Sequence, residues 1–492
     1  MSGDVLLVLP QACLAVGSVC VLAIGRLFRA RNQLLALLTG LCFVTALGTL
    51  VLVYELMRAG VVPTWGNTSE GGAFLRADPG ALMVASVALG LGALVAVFSG
   101  CYLSLDRRYE TFYPLLLWMV IGLVGMVLAA DLFNLYLFCE LMCVAAYVLV
   151  GFRRADATAI EAGFKYLVMG SVGTLTMLLG ISFVYRETGS VLMVQTGDPG
   201  TWTRVGTACL LVGLGIKSAI VPLHTWLPDA HGRAPSSVSA MLSGVVVPSG
   251  FYVLLKVALG LGLPPYRLGT LLIMMALAGM FVGNLLALVQ SYTKRLLAYS
   301  TIAQMGYVML SVGIGLRFGV SEALQAGFFL LMAHALMKGL AFLCKGVCHF
   351  YWGATTIEQL RGTASRSPAV AGALAIALAG LAGVPPLAGF AGKWLVLMGA
   401  LQADHVLGYV ALAAFVLNSL AALGYYLPVL GMLLARAGSQ PPDSPATSLD
   451  LSPWMGVPIA VLSALVVAVG LYPEPWLNWS AQVGSYVSGL GR

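Results

Sequence analysis

The residues most able to do chemistry in this chain are lysines that lie among apolar residues. Seven lysines occur in the sequence, and five of them lie inside long apolar segments: Lys165, Lys217, Lys256, Lys338 and Lys393. An ionisable side chain at membrane depth costs about 2.5–3.5 kcal/mol on insertion scales. Glu140 is the one acidic residue that the sequence places at a similar depth. One carboxylate cannot neutralise five ammonium groups, so some of these lysines should be uncharged part of the time and exchange protons.

The composition indicates which class of protein can hold such lysines. Hydrophobic residues make up 60% of the 492 residues and charged residues 9%. The apolar runs are continuous rather than alternating, which predicts helices and excludes a transmembrane β-barrel. The arginines behind the net charge of +7 are scattered through short loops. Such scattering predicts no nucleic-acid partner, because a basic stripe is absent.

The number of apolar segments predicts the architecture. A membrane-crossing helix needs about 20 predominantly apolar residues. By this measure the sequence predicts an all-α polytopic membrane protein with about fourteen transmembrane helices. With the N-terminus outside, the inner loops hold about twice as many lysines and arginines as the outer loops, Lys294 and Lys345 among them. The positive-inside rule therefore predicts that both termini lie outside the cytoplasm.

Two apolar segments are interrupted in the same way. Residues 215–227 read GIKSAIVPLHTWL, and residues 383–395 read GVPPLAGFAGKWL. Each contains glycine and proline, one lysine and a following tryptophan. Paired interruptions of this kind are typical of transporters with inverted repeats, whose ion sites lie near the middle of the membrane. Broken helices also expose backbone groups that can hold water and ions.

Glu140 and Lys217 form the first candidate pair. Glu140 lies near the middle of a short helix within DLFNLYLFCELM. We expect it to pair with Lys217 in a proton pathway and to set the proton affinity of that lysine. The alternatives are a static structural ion pair for Glu140 and snorkelling to an interface for Lys217, although Lys217 lies too centrally to snorkel.

Three further lysines have separate interpretations. Lys393 follows the Pro-Pro break and is expected in a hydrated cavity. Lys256 lies near the end of the eighth segment, so snorkelling is an alternative to a proton-transfer role. Lys165 lies one turn after Glu161 and close to an inner loop, where an interfacial i,i+4 ion pair competes with transport.

His334 and Lys338 are spaced i,i+4 and should share one helix face. Two titratable groups on one inward face suit a proton relay, because imidazole exchanges protons near neutral pH. The alternative for His334 is a histidine packed in the core.

Polar residues in otherwise apolar helices can hold water between titratable groups. The candidates are Ser237, Ser300, Thr301, Gln304 and Tyr307. Small hydroxyl residues equally serve as packing residues between membrane helices.

His224 is expected at a loop or at the mouth of a proton pathway. A metal site built from His224, Asp229 and His231 is disfavoured, and the nine cysteines are expected to be packing residues. We predict neither a metal nor a cofactor, because the chain carries no phosphate loop, nicotinamide or flavin fingerprint. This chain therefore has no predicted redox site of its own.

Five stretches, in this order, resemble the antiporter-like subunits shared by respiratory complex I, membrane-bound hydrogenases and Mrp cation/proton antiporters. They are DLFNLYLFCELM, GIKSAIVPLHTWLPDAHGRAPSSVSAML, TKRLLAYSTIAQMGY, HALMKGLAF and GVPPLAGFAGKW. The chain looks most like the D-type component of Mrp antiporters and the N-type component of complex I. Its end, soon after the fourteenth segment, leaves no room for the long lateral helix of the largest subunit of this family.

The resemblance implies two inverted five-helix repeats with broken helices seven and twelve. The chain then divides into three N-terminal helices (1–110), a first repeat (111–260), a second repeat (261–434) and a loop with helix fourteen (435–492). The family pattern also implies transport roles for Glu140, Lys217, Lys256 and Lys393. It further implies a bacterial or archaeal cytoplasmic membrane and neighbouring membrane subunits as partners.

The function expected from these features is proton translocation within a multisubunit complex. Protons would be taken up from the inner side near Lys217 or Lys256, pass His334 and Lys338, and leave by Lys393. The energy would come from redox chemistry or from a cation gradient in partner subunits. The alternatives are a stand-alone cation/proton antiporter, with sodium as a second ion, and a membrane scaffold without transport.

Overall fold

Helices make up nearly all of the chain. The computed structural model describes residues 3–27, 31–66, 74–106, 108–194, 198–435 and 451–490. The elements are α1 (Gly3–Leu27), α2 (Asn32–Arg58), β1 (Thr64–Trp65), β2 (Leu75–Arg76), α3 (Pro79–Tyr102), α4 (Tyr109–Leu128), α5 (Leu132–Val150), α6 (Ala157–Thr188), α7 (Thr201–Lys217), α8 (Trp226–Arg233), α9 (Ser236–Met241), α10 (Val247–Gly260), α11 (Pro265–Leu288), α12 (Thr293–Phe318), α13 (Ser321–Trp352), α14 (Thr363–Arg366), α15 (Pro368–Ala382), α16 (Ala388–Leu401), α17 (Val406–Leu434), α18 (Pro453–Leu471) and α19 (Glu474–Leu490). The two short strands pair antiparallel.

The predicted number of membrane crossings is confirmed for the described residues. Twelve helical segments are long and apolar enough to cross a membrane, with α9 to α10 counted as one. Two further crossings are each made of two pieces, α7 with α8 and α15 with α16. The twelve unbroken crossings and the two broken ones make fourteen. The protein is therefore a multi-pass membrane protein.

Both interruptions are built around proline. The α7/α8 break contains a cis Val221–Pro222 bond, and the α15/α16 break contains a cis Pro385–Pro386 bond. Proline lacks the N–H that would continue a helical hydrogen-bond ladder. Gly383, which ends α15, has a φ of 92°, a conformation that glycine adopts without a steric penalty.

The two repeats run through the membrane in opposite senses. Crossings four to eight (α4 to α10) and nine to thirteen (α11 to α17) each contain three continuous helices, one broken helix and one further helix. The first set begins at an even-numbered crossing and the second at an odd-numbered one. Because successive crossings alternate in direction, the two sets have inverted topology, as in transporters of this architecture.

The alternation also defines two faces of the protein. We call the face at which α1 begins the N-terminal face; residues 59–66, 189–194 and 261–264 lie there. The opposite face carries residues 151–156, 289–292 and 353–356.

The eighth crossing contains a π-helical turn, Leu242–Val246, between α9 and α10. In this turn the N–H of Val247 donates to the carbonyl of Leu242. The next residue, Pro248, has no N–H to donate. The carbonyl of Ser243 is therefore left without its usual helical donors, and it lies 3.3 Å from Nε2 of His334.

One helix was missed by the sequence analysis, which ended the chain at a fourteenth helix. The structure has a further helix, α19, along the N-terminal face. Its buried residues, Ser480, Val483, Gly484 and Val487, follow i, i+3, i+4, i+7 spacing. This amphipathic pattern belongs to a helix with one buried face rather than to a crossing. The predicted loop at residues 436–450 lies outside the described residues.

Three crossings form the centre of the protein. The eighth crossing, α12 and α13 are almost wholly buried, whereas α2, α6 and α17 expose leucine and valine side chains. The candidate serines, Thr301, Gln304, His334 and Lys338 all lie in these central helices. Polar side chains in a membrane protein are tolerated where they face the interior of the bundle.

Candidate functional site

Lys217 is the last residue of α7 and lies at the first break. Its side chain is buried, and Nζ donates to the carbonyl of Gly170 at 2.9 Å and to the hydroxyl of Tyr147 at 3.3 Å. The absence of a side chain at Gly170 makes room for the Tyr147 ring, which a Cβ there would strike. A helix break thus holds an ammonium group against neutral acceptors.

The predicted ion pair between Glu140 and Lys217 is not formed. Glu140 is half-buried and makes no side-chain hydrogen bond or salt bridge with any other described residue, although it lies within electrostatic reach of Lys217. Helix α5 turns Cys139 and Cys143 toward the core. Glu140 lies one position further around the helix, so its carboxylate points away from the most buried face.

Asp78 is a buried carboxylate that the sequence analysis did not identify as a candidate. Lys256 Nζ donates to Asp78 Oδ2 at 3.0 Å and to the carbonyl of Val127 at 3.1 Å. The hydroxyl of Tyr252 donates to the other oxygen of Asp78. Asp78 also caps α3 by accepting from the N–H of Ala81 at 2.7 Å.

This pair corrects two expectations. Lys256 is buried and paired, so the snorkelling interpretation is wrong. Glu140 is also not the only carboxylate shielded from solvent, because Asp78 and Asp131 are both less exposed, although they lie at helix starts near the N-terminal face and Glu140 lies in the middle of α5. Aspartate followed by proline is a typical helix start, and this signal at residues 78–79 could have located the cap but not its lysine partner.

The position of Lys256 also changes the expected route. Lys256 lies near the end of α10, and Asp78 lies at the start of α3, so the pair is close to the N-terminal face. Under the predicted orientation this face is the outer one. Proton uptake from the inner side near Lys256 would require the N-terminal face to be the inner one, so this uptake and the predicted orientation cannot both hold.

His334 and Lys338 occupy the centre of α13, where both are fully buried. Lys338 Nζ donates to the carbonyl of Leu297 at 2.8 Å and to the hydroxyl of Ser300. The Ser243 carbonyl contacts His334, and the Ser243 hydroxyl lies 2.7 Å from Thr301 Oγ1. His334 and Lys338 thus lie in one group of buried polar residues between α12, α13 and the π-helical turn. We call this group, which also contains Ser243, Ser300 and Thr301, the polar seam.

Lys393 lies in α16, just after the second break. Its Nζ donates to the carbonyl of Ala382 at 3.0 Å and lies 5.0 Å from the ring centre of Tyr307. Gln304 donates to the neighbouring carbonyl of Leu381 at 2.8 Å. The end of α15 therefore supplies carbonyl acceptors to side chains at the break, as broken membrane helices do.

Lys165 lies elsewhere. Half of its side chain is exposed, and Nζ pairs with Glu161 at 2.7 Å and with Asp229 at 3.4 Å. This arrangement is the interfacial ion pair that the sequence analysis named as the alternative. His224 is half-buried at the first break, and the Ser237 hydroxyl is buried without a hydrogen-bond partner among the described residues.

His231 is a buried histidine that the sequence analysis considered only as part of a disfavoured metal site. It lies inside α8, stacks on Phe342 at 4.9 Å, and neither ring nitrogen has a hydrogen-bond partner within the described part of the chain. Lys338 and His334 lie within its electrostatic reach. His231 therefore extends the polar seam toward the opposite face.

Together these groups can accept and release protons inside the membrane. Lys217, Lys338 and Lys393 each lie in a crossing and hydrogen-bond to backbone carbonyls or hydroxyls. None of the three forms a salt bridge with a described carboxylate. The Asp78–Lys256 pair differs, since each charge there has a partner.

The comparisons with known proteins agree with this architecture. The NADH:quinone oxidoreductase/Mrp antiporter transmembrane family matches residues 129–418. NADH-quinone oxidoreductase subunit N of Desulforudis audaxviator is 33% identical over 464 residues, which cover 88% of this chain and 89% of that protein.

Two solved structures have the same fold. A chain of the Mrp complex from Dietzia sp. matches with a TM-score of 0.87 over 100% of both chains at 23% identity, a likeness of fold. A chain of respiratory complex I from Thermus thermophilus matches with a TM-score of 0.78, covering 96% of this chain and 99% of that one at 28% identity. The resemblance seen in the sequence is confirmed: this chain belongs to the NADH:quinone oxidoreductase/Mrp antiporter family of membrane proteins.

Proposed function

We propose that this protein carries protons across the membrane as one subunit of a multisubunit complex. The observation that carries the proposal is the set of three buried lysines, Lys217, Lys338 and Lys393, whose partners are uncharged. A buried ammonium group without a counter-charge is costly. Gaining and losing a proton is the chemistry most available to such a group.

The partners and the source of energy are inferred from the relatives. Subunit N of NADH-quinone oxidoreductase and the chain of the Mrp complex both belong to larger assemblies by name. We assign the driving step, whether redox chemistry or a cation gradient, to neighbouring subunits, together with any redox cofactor. Proton movement is assigned to this chain.

The best-connected part of the route runs through the second repeat. Lys338 donates to the hydroxyl of Ser300, which could relay a proton by accepting it from the lysine while releasing its own proton to a neighbouring water. His231 and His334 flank this lysine within the polar seam, and Lys393 lies beyond Gln304 at the second break. The described side chains form no unbroken chain of hydrogen bonds between these groups. Water molecules would therefore complete the proton transfer.

In the first repeat, Glu140 is proposed to set the proton affinity of Lys217. The two groups are unpaired in this conformation, and Lys217 is bound to Gly170 and Tyr147. An approach of Glu140 would stabilise the protonated lysine, and its withdrawal would favour release. We also propose a cytoplasmic membrane location with both termini outside the cytoplasm.

The test is proton pumping by membrane vesicles that contain the whole complex, with wild-type protein, Lys217→Ala and Lys165→Ala. Lys217→Ala should abolish pumping while a native gel shows an intact complex. Lys165→Ala removes an exposed lysine and should leave pumping near the wild-type rate. Full pumping by Lys217→Ala in an intact complex would refute the proposed role of the buried lysines.

A further inference from the structure

A basic cavity of about 300 Å³ lies at the opposite face, outside the proposed proton route. It is formed by α8, the start of α12 and the end of α13. Five lysines and arginines line it against two aspartates, which leaves an excess of three positive charges. Such a concentration of one sign of charge in a concave site attracts the opposite sign.

The two aspartates in the wall are already engaged. Asp229 pairs with Arg295 and with Lys165, each at 3.4 Å. Asp156 caps α6 by accepting from the N–H of Thr158 at 2.9 Å and from its hydroxyl at 2.6 Å. Asp156 also attracts Arg233, but the two carboxylates leave the excess of three positive charges in place.

Three cations at the cavity have no salt bridge with any described carboxylate: Arg233, Lys294 and Lys345. The side chains of Lys294 and Lys345 are buried, whereas Arg233 is exposed. The sequence analysis assigned both lysines to loops, but Lys294 lies in the first turn of α12 and Lys345 lies inside α13.

The two lysines retain unused donors. Lys294 Nζ donates to the carbonyl of Ala234 at 2.5 Å, and Lys345 Nζ donates to the carbonyl of Ala354 at 2.6 Å. An ammonium group has three N–H donors, so each lysine keeps two. A multivalent oxyanion could accept several charge-assisted hydrogen bonds here and neutralise the buried charge.

We propose that this cavity binds a phosphate group, supplied either by the headgroup of an anionic phospholipid or by free phosphate. The guanidinium group of Arg233 and the two ammonium groups provide the donors that phosphate oxygens prefer. Basic pockets between membrane helices at the cytoplasmic side are typical sites for acidic lipid headgroups. The volume is at the lower end of small-molecule sites, which suits a single headgroup.

The experiment uses the intact complex purified in detergent, with inorganic phosphate as the probe. Thermal midpoints are measured against phosphate, with chloride at equal ionic strength as reference, and bound phospholipid is quantified by mass spectrometry. The variants are Lys345→Gln and Arg233→Gln, compared with Arg361→Gln, which removes an exposed arginine at the same face that does not line the cavity. Arg233 is exposed, so its variant keeps the test valid if Lys345→Gln fails to assemble.

If free phosphate is the ligand, the thermal midpoint should rise with phosphate concentration and then saturate. The phosphate concentration at half-saturation should be higher by about tenfold or more in both cavity variants, and a tenfold change is worth about 1.4 kcal/mol of binding free energy. A lipid headgroup predicts instead that phospholipid retained by wild type and by Arg361→Gln is lost from both cavity variants. The proposal is overturned if neither response occurs, if Arg361→Gln behaves like the cavity variants, or if the structure of the complex shows a neighbouring subunit's carboxylate filling the cavity. These are binding measurements, so their failure would leave the pumping proposal untouched.

Discussion

At the scale of single residues, the four buried lysines that the sequence analysis assigned to proton transfer divide into two kinds. Lys256 faces the carboxylate of Asp78, whereas Lys217, Lys338 and Lys393 face carbonyl and hydroxyl oxygens. A paired charge in a membrane interior is held in place by its partner. We therefore expect Lys256 to contribute mainly to stability and the other three lysines to exchange protons.

Replacement of Asp78 tests the first kind. Asp78→Asn leaves the Lys256 ammonium group buried without a counter-charge and should destabilise the protein by about 3–5 kcal/mol. The thermal midpoint of the complex measures the effect. Glu55→Gln is the control, because the Glu55–Arg58 pair is exposed and contributes about 0–1 kcal/mol.

The double variant Asp78→Asn/Lys256→Gln removes both charges and should recover much of the loss. A double variant less stable than Asp78→Asn alone would contradict the pairing.

Replacement of His334 tests proton exchange beside Lys338, a lysine of the second kind. His334→Gln keeps an N–H donor near the carbonyl of Ser243 but cannot exchange protons, so pumping should fall by about 10²-fold with assembly unchanged. His405→Gln is the matched control, because His405 is exposed and caps α17. Equal pumping by the two variants would identify His334 as a packing residue.

At the scale of elements, the second broken crossing depends on close backbone approach. A Cβ at Gly389, near the start of α16, would lie 1.8 Å from the carbonyl oxygen of Gly380 in α15. The two half-helices therefore touch directly, and this contact sets the position of Lys393 one turn later. Gly372 in α15 has open space around its Cβ position.

The glycine pair supplies a matched prediction. Gly389→Ala must displace α16 and should cost about 1–3 kcal/mol of stability, with a loss of pumping as Lys393 moves. Gly372→Ala should be neutral or stabilising by up to about 1 kcal/mol, because alanine favours helix. The thermal midpoint and the pumping rate are measured for both variants. Retention of wild-type stability by Gly389→Ala would contradict the close approach.

At the scale of the whole molecule, α19 closes the N-terminal face. The indole N–H of Trp479 donates to the carbonyl of Pro79 at 3.2 Å, and Gln325 donates to the carbonyl of Leu477 at 3.1 Å. Pro79 directly follows Asp78, so α19 packs beside the buried ion pair. The helix also places the C-terminal residues on the face at which α1 begins.

The orientation of this face is predicted to be away from the cytoplasm. Ser485→Cys in α19 should react with a membrane-impermeant maleimide in intact cells. Ala155→Cys, at the opposite face, should react only after the cells are permeabilised. The reverse pattern would invert the proposed orientation.

The sequence alone was sufficient for features that depend on local composition. Apolar length predicted fourteen crossings, proline and glycine predicted both broken helices, and the i,i+4 spacing placed His334 and Lys338 on one face. These signals are legible because hydropathy, helix breaking and helical periodicity act within a few turns of the chain. The amphipathic α19 was missed because its apolar residues cover only one face.

Tertiary structure decided which charges meet. Asp78 and Lys256 are 178 positions apart, and no local pattern predicts that they pair. Glu140 and Lys217 lie on suitable helices, yet the rotation of α5 keeps them apart. Lys294 and Lys345 resemble loop cations in sequence, but α8 and the ends of their own helices bury them around one cavity. Hydropathy measures how much apolar surface a segment offers, whereas the rotation and packing of helices determine which side chains face one another.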